Sequence, residues 1–533
     1  MKRIVSIIAA FLIIIALFAG CSAQAGIEVQ GETDSADTTA STVVSSASSD
    51  EMFSDRDKEI GYSESESTMI TLSDGVSSVN GEGAEVKDDT ITITKEGTYI
   101  LTGNLSNGQI VIDAADDAKI QIVLNGVEIT NESSAAIYVK NADKVFITTS
   151  SGSENTLSAT GEFVQTDDNN VDGVIYAKSD LTLNGAGTLT IDSAYGHGVV
   201  SKDDLIVTSG AYIITAAKQG FSGKNSVRIA DGTFTIEAGT DGIHSENEDD
   251  TTLGFVYIAD GTIIVNADDD GIHAETSVTI LGGKIDITKS YEGIEGLVIN
   301  ISGGETNIIS SDDGLNAAGG ADQSGNGGMG GGGMGATEGC AITISGGTLS
   351  INASGDGIDS NGSLTISGGT ITVSGPTNSG NGTIDYNGTG KITGGTLLGA
   401  GSSGMAEGFS DSSTQCSILY NISSVQAAGT SVTLEDESGK VLAEFTPAKQ
   451  FASVNISVPA LTSGSIYTLV IGSEEYSIEL TSTSYSNGGQ SGMVGGMGGG
   501  QQPQGGDRPS GGKGGAPGNM PNDSTTSPTV KQS

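Results

Sequence analysis

A short acidic phrase recurs along this chain at a nearly constant interval, and that repetition limits the fold more than any other feature of the sequence. The phrase is a carboxylate, a glycine and an aliphatic residue: Asp241-Gly242-Ile243, Asp270-Gly271-Ile272, Glu292-Gly293-Ile294, Asp313-Gly314-Leu315 and Asp356-Gly357-Ile358. With looser copies at Gly173, Gly198, Gly220 and Gly382, the glycines fall 25, 22, 22, 29, 22, 21, 43 and 25 residues apart. One period of about 22 residues accounts for most of these intervals. The interval of 43 contains an inserted Gly/Met-rich segment, residues 319–339.

Between the acidic phrases stands a second pattern, in which two short runs of alternating apolar residues flank a glycine. Examples are "IADGTFTI" from Ile229, "ILGGKIDI" from Ile280 and "ISGGTITV" from Ile366. Period-two runs broken by a glycine predict strand, bend, strand. A repeat this short cannot close a sheet alone and must stack on its neighbours, which predicts an all-β parallel β-helix, a solenoid of about 22 residues per rung. Rungs lie about 4.8 Å apart, so Ile243, Ile272 and Ile294 are expected to form an internal aliphatic ladder. The glycines are expected to supply bend conformations closed to other residues.

The flanks predict an exported protein. Residues 1–20 have a basic start at Lys2 and Arg3, an apolar run from Ile4 to Phe18, and small residues before Cys21, the pattern of a signal peptide. The Ala19-Gly20-Cys21 ending resembles a lipobox, which implies lipidation at Cys21 and attachment to the outer face of a bacterial membrane by that lipid only. An ordinary secretory signal is the alternative. Residues 21–78 are rich in Ser, Thr, Asp and Glu and predict a disordered polar tether. The β-helix is expected over 79–404, a small β domain over 413–482, and a disordered Gly/Pro/Gln tail over 483–533. Cys340 and Cys416 are compatible with one disulfide or with two buried thiols.

A net charge of −44, from 66 acids and 22 Lys plus Arg, excludes a nucleic-acid binder, since no basic stripe exists to displace counterions. The same charge favours a cation partner. Carboxylates stacked at Asp241, Asp270, Glu292, Asp313 and Asp356 must point apart, protonate or share a cation. Calcium, with six to eight oxygen ligands in flexible geometry, suits the set once Asp269, Asp312 and Asp359 are added. The competing reading is that each Asp only accepts hydrogen bonds from bend amides. His244 and His273 should stack in one column, with His197 two rungs earlier, either as a polar outer ladder that packs on a sugar or as ligands to zinc.

The segment "TITITKEGTYILTGNLSNGQIVIDAADDAKIQIVLNGVEITNESSAAIYVKNADKVFIT", residues 90–148, with the rungs after it, resembles a bacterial carbohydrate-binding family built on a right-handed parallel β-helix related to pectate lyases. The resemblance spans roughly residues 84–480, with the Gly/Met insertion as a departure. It implies a surface lipoprotein that binds cellulose and acidic polysaccharides such as polygalacturonate and carries calcium near the lyase-like face; a monomer is expected.

Recognition of an acidic chain fits a column whose charge changes sign: Lys202 and Lys224, extended by Lys140 and Lys178, then Glu246 and Glu275. The competing reading is a solvated edge. The absence of Trp argues against a flat aromatic platform and leaves Tyr195, Tyr257 and Tyr291 to stack on single rings. Lys202, Lys224, His244, His273 and Tyr291 are therefore the carbohydrate-binding candidates. Two further classes remain open. A calcium-dependent lyase would need a base, for which Lys289 and Lys284 are the candidates; Arg228 is the only arginine in the repeats. A structural or adhesive stalk would leave binding to the small β domain.

Overall fold

The computed structural model describes residues 49–318, 336–488 and 490–491. The signal peptide, Cys21, most of the Gly/Met insertion and the tail beyond 491 lie outside the described residues. Among those residues the protein is nearly all strand. Its helices are two single turns, Ser49–Met52 and Asp55–Lys58, and one 3-10 turn, Glu64–Glu66.

Strands separated by about one period pair in parallel and in register. One series runs His197–Ser201, Phe221–Gly223, Ile243–Ser245, Ile272–Ile280, Ile294–Ile301, Leu315–Ala317, Ile358–Ser360 and Asp385–Tyr386. A second runs Asp204–Val207, Ser226–Ile229 and Phe255–Ile258, then through the later halves of Ile272–Ile280 and Ile294–Ile301 to Ala341–Ile344. A third runs from Ala211–Ala216 through Thr233–Ala238, Thr262–Ala267, Lys284–Ser290 and Glu305–Ser310 to Thr348–Ala353. In that third series burial alternates, strictly in Thr233–Ala238 and with one interruption in Lys284–Ser290. Its β-branched inward residues join Ile243, Ile272, Ile294, Leu315 and Ile358, all fully buried, in one apolar core. Like residues on successive strands meet across about 4.8 Å, so the core is a stack of aliphatic columns.

The recurring glycines serve two different purposes, and only one is the expected bend. In the I-x-G-G phrases the second glycine has positive φ, +85° at Gly283 and +79° at Gly304. In the acidic phrases none of the glycines Gly242, Gly271, Gly293, Gly314 or Gly357 has positive φ. There the constraint is contact: a Cβ on Gly293 would stand 2.3 Å from the carbonyl oxygen of Gly314 and 2.4 Å from a methyl of Ile308. Neighbouring rungs approach too closely for any side chain, with each glycine N–H donating across the gap, as Gly271 does to Glu292 O at 3.0 Å.

The N-terminal stretch expected to be a tether is packed from Met52 onward. Met52 and Phe53 bury against Ile206, Phe255 and Tyr257. Asp57, 1 % exposed, pairs with Lys144 Nζ at 2.8 Å and accepts from Thr182 Oγ1 at 2.6 Å. Its carbonyl accepts from Asn184 Nδ2 and Thr208 Oγ1. The chain then enters the first described strand, Thr68–Leu72, which pairs in parallel with Gly97–Leu105.

At the other end Thr396–Gly401 pairs antiparallel with Phe451–Ser457, so the segment expected as a small β domain shares a sheet with the last parallel strands. It also has its own apolar cluster and a four-stranded antiparallel sheet from Val432–Asp436, Val441–Phe445, Ser465–Ile471 and Glu474–Leu480. Ser484–Ser486, placed in the expected tail, pairs with Ser417–Gln426. Cys340 and Cys416 are both buried and free.

Candidate functional site

Parallel pairing without register shift at the acidic phrases turns the phrase into columns. Immediately before the ruler glycine stand Asp241, Asp270, Glu292, Asp313 and Asp356. Two places after it stand His244, His273, Glu295, Asn316 and Asp359, each the register partner of the next, and Asp385, three places after Gly382, continues the column as the partner of Asp359. Successive side chains in a strand point to opposite faces, so residues three apart across a bend with one extended residue between can meet. They do: His244 Nδ1 lies 2.7 Å from Asp241 Oδ2, and His273 Nδ1 lies 3.2 Å from Asp270 Oδ2 and 2.8 Å from Glu295 Oε2.

The four aspartates of the first column each serve the next rung. Asp241 Oδ1 accepts from the Asp270 amide at 3.3 Å, Asp270 Oδ1 from the Glu292 amide at 3.2 Å, and Asp313 Oδ1 from the Asp356 amide at 2.6 Å. Asp356 Oδ1 accepts from the Gly382 amide. The punctuating role is thus real, although the amide belongs to the following rung. It uses one carboxylate oxygen and leaves the other.

Those second oxygens converge. Asp313, Asp356 and Asp359 offer oxygens within 4.8 Å of one another; so do Asp241, Asp269 and Asp270; and Asp270, His273 and Glu295 do the same with one imidazole nitrogen. No Lys or Arg ion-pairs with Asp313, Asp356 or Asp359 among the described residues. Burial, reinforced by the neighbouring acids, pushes Asp356 up to about 7 and holds Asp313 and Asp359 well above the ordinary carboxylate range. Burial and the charges of Glu295 and Asp270 likewise raise Glu292, and burial raises Asp270. Farther along, burial and Asp385 raise Glu407 to about 8. Asn316, between Glu295 and Asp359 in the second column, donates to Glu292 Oε2 at 2.6 Å, while its buried Oδ1 has no partner. An orphaned oxygen beside an all-oxygen carboxylate cluster is the donor set a hard cation takes.

Toward the other end the face opens into a cleft of about 330 Å³ lined by His197, Lys202, Gln219, Ser222, Lys224 and His244, with Glu246 and Asp249 at its edge. Lys202 Nζ lies 5.5 Å from the ring centre of Tyr176. Lys224 pairs with the exposed Asp249 at 2.7 Å. Of the other charged candidates, Lys140 pairs with Asp113 at 2.9 Å and Glu275 accepts from the Asn247 amide at 2.8 Å.

The two lysines expected of a lyase are engaged outside the acid columns. Lys284 pairs with Glu305 at 2.9 Å and Lys289 with Asp268. Arg228 pairs with Asp204 and donates to the Met52 carbonyl. Of the tyrosines, Tyr291 stays partly exposed with its hydroxyl against Asp312, which raises its pKa, and Tyr195 is exposed. Tyr257 is fully buried against Phe53 and is not available to a sugar ring.

Glu295, Asn316 and Asp385 escape a reading that follows only the acid before each glycine. The fourth residue of every phrase carried the signal: His244, His273, Glu295, Asn316 and Asp359 are all polar. A third acid group, Asp180, Asp203 and Asp204, is also unexpected, but Arg228 and Lys144 already supply its countercharge.

Residues 87–334 match a family model described as a carbohydrate-binding domain-containing protein. A protein of Acetivibrio thermocellus with the same description is 35% identical over 150 residues, 28% of this chain and 52% of that protein. The chain therefore spans about half the length of the curated relative it matches. A solved structure of a polysaccharide lyase-like protein from C. thermocellum, in a gadolinium derivative, is 33% identical, covers 44% of this chain and 97% of its own, and aligns with a TM-score of 0.43. The stretch matched by the family model, residues 87–334, includes the columns from Asp241 to Asn316.

Proposed function

We propose that this is a non-catalytic, surface-attached carbohydrate-binding protein, a right-handed parallel β-helix that recognises an acidic polysaccharide of the polygalacturonate type with the help of calcium, cellulose being a second candidate glycan. The observation that carries the reading is the Asp313, Asp356 and Asp359 cluster: three carboxylates in mutual reach, with no lysine or arginine ion-paired to them among the described residues. Calcium bound there by these acids, with Asn316 Oδ1 and bend carbonyls as neutral donors, would present positive charge to a uronate carboxylate. The cleft at Lys202 and Lys224 offers direct pairing to the same kind of chain several rungs away. Lipidation at Cys21 would hold the protein at the outer face of the membrane.

The pairing of Lys284 and Lys289 with carboxylates supports binding over elimination, because a protonated, ion-paired lysine is a poor base. The test is retention on polygalacturonate with and without calcium, alongside ultraviolet detection of unsaturated product. Calcium-dependent retention that Asp356→Asn and Asp359→Asn weaken supports the proposal. Retention indifferent to calcium and to both substitutions refutes the calcium part, and steady product formation refutes the non-catalytic part.

A further inference from the structure

The acid columns are not uniform along their length, and the difference bears on which ion each end accepts. From Asp313 onward every candidate donor is oxygen. Two and three rungs earlier the second column carries His273 and His244, whose rings stack at 5.0 Å between centroids and 13° between planes. Asp270, His273 and Glu295 are 1, 1 and 3 % exposed, and their donor atoms lie within 4.8 Å of one another. One ring nitrogen, His273 Nδ1, faces two carboxylates at 3.2 and 2.8 Å, although a single N–H can be directed well at only one.

A second observation stands beside the first. His244, 9 % exposed, has its Nδ1 2.7 Å from Asp241 Oδ2 yet without a hydrogen-bond partner. Two adjacent buried imidazoles thus hold their nitrogens 2.7 to 3.2 Å from carboxylate oxygens, so that nitrogen and oxygen donors are gathered in one buried place. Asp241 is itself within reach of Asp270, through the group it forms with Asp269 and Asp270.

We propose that Asp270, His273 and Glu295 bind a zinc-class divalent ion, with Asp241 and His244 as the adjoining donors, at a site chemically distinct from the all-oxygen cluster at Asp313, Asp356 and Asp359. Calcium needs six to eight oxygen ligands, and a pocket this enclosed, with an imidazole among three donors, offers too few. Zinc is content with four ligands and takes imidazole nitrogen and carboxylate oxygen together. The burial makes the site closed and therefore structural: it ties the rung of Asp270 and His273 to that of Glu295. This inference does not rest on the polysaccharide reading.

The experiment uses the full chain, stripped of metal and then titrated with zinc in a large excess of calcium. One zinc per chain, retained against calcium, is expected. His273→Gln and Glu295→Gln should each weaken it by at least about tenfold, while Asp356→Asn leaves it unchanged. Displacement of zinc by calcium, or wild-type zinc affinity in both His273→Gln and Glu295→Gln, overturns the proposal and leaves an adventitious ion only. Should either variant fail to fold, zinc-edge X-ray absorption on the wild-type protein still decides: imidazole scattering around the ion supports the site, and its absence refutes it.

Discussion

Asp356 allows the calcium reading to be tested by the pH dependence of stability. Its side chain is buried, and its pKa is raised from 3.8 to about 7 by burial first and by Asp385 and Asp312 next. A carboxyl raised on folding keeps its proton in the native state where the unfolded chain has lost it. Stability therefore falls as pH rises from about 4 to about 7 and is level above that. At about 1.4 kcal/mol per tenfold, the displacement amounts to a loss of up to about 4 kcal/mol by pH 8 in calcium-free protein. Asp313 and Asp359, also raised, act with the same sign. Calcium that binds the ionised cluster restores about 2.7 kcal/mol at a hundred times its dissociation constant, and little at pH 5, where the cluster is protonated. Thermal melts of chelator-treated, desalted protein at pH 5 and pH 8, with and without added calcium, read all of this. Asp356→Asn keeps an acceptor for the Gly382 amide and removes the charge, so without calcium at pH 8 it should melt above the wild type and gain less from calcium. A variant that melts lower under those conditions, or a calcium-free wild type indifferent to pH, would refute the reasoning.

Three further outcomes follow from the geometry. Gly293→Ala forces a Cβ to within 2.3 Å of the Gly314 carbonyl oxygen and should cost about 1–3 kcal/mol in denaturant melts, whereas Gly152→Ala, open around its Cβ but at φ +70°, should cost about 1 kcal/mol. Asp57→Ala leaves the ammonium of Lys144, 14 % exposed, with only Asp180 at 3.9 Å, and should release the segment from Met52 to Glu59 to proteolysis at a cost of about 3 kcal/mol; equal protease resistance would contradict this. Lys202→Ala should lower retention on polygalacturonate more than Lys224→Ala, because Asp249 already engages Lys224, and an affinity-electrophoresis series at one salt concentration compares the two.

The sequence exposed what repeats and concealed what does not. The ladders at Ile243, Ile272 and Ile294 and the acid column were legible because a parallel register carries spacing directly into contact. The reason for the glycines was not, since a close approach between rungs and a positive φ both select glycine and only coordinates separate them. The packed segment from Met52 was hidden for a different reason. Its composition is that of a solvated tether, and its stability comes from partners such as Thr182 and Thr208, 125 and 151 residues away, that no local pattern announces.

Within the columns, one rule explains both the punctuation and the chemistry. At Asp241, Asp270, Asp313 and Asp356 one carboxylate oxygen accepts from an amide of the next rung, which fixes the side chain at the same place and leaves its second oxygen for side-chain contacts. The residue two places after a glycine can then meet a carboxylate of this column. At His273 the imidazole meets Asp270, at Asn316 a neutral amide meets Glu292 of the preceding rung, and Asp359 adds another acid beside Asp313 and Asp356. A single variable position on an invariant scaffold can in this way grade the face from imidazole-bearing to all-oxygen over a few rungs, without any change in the backbone. The ion each end selects is then a property of that one position. Exchanging it, for instance by His273→Asp, should shift the preference of the buried group toward calcium while leaving the ladders intact, and metal competition on that variant would show whether the scaffold or the side chain makes the choice.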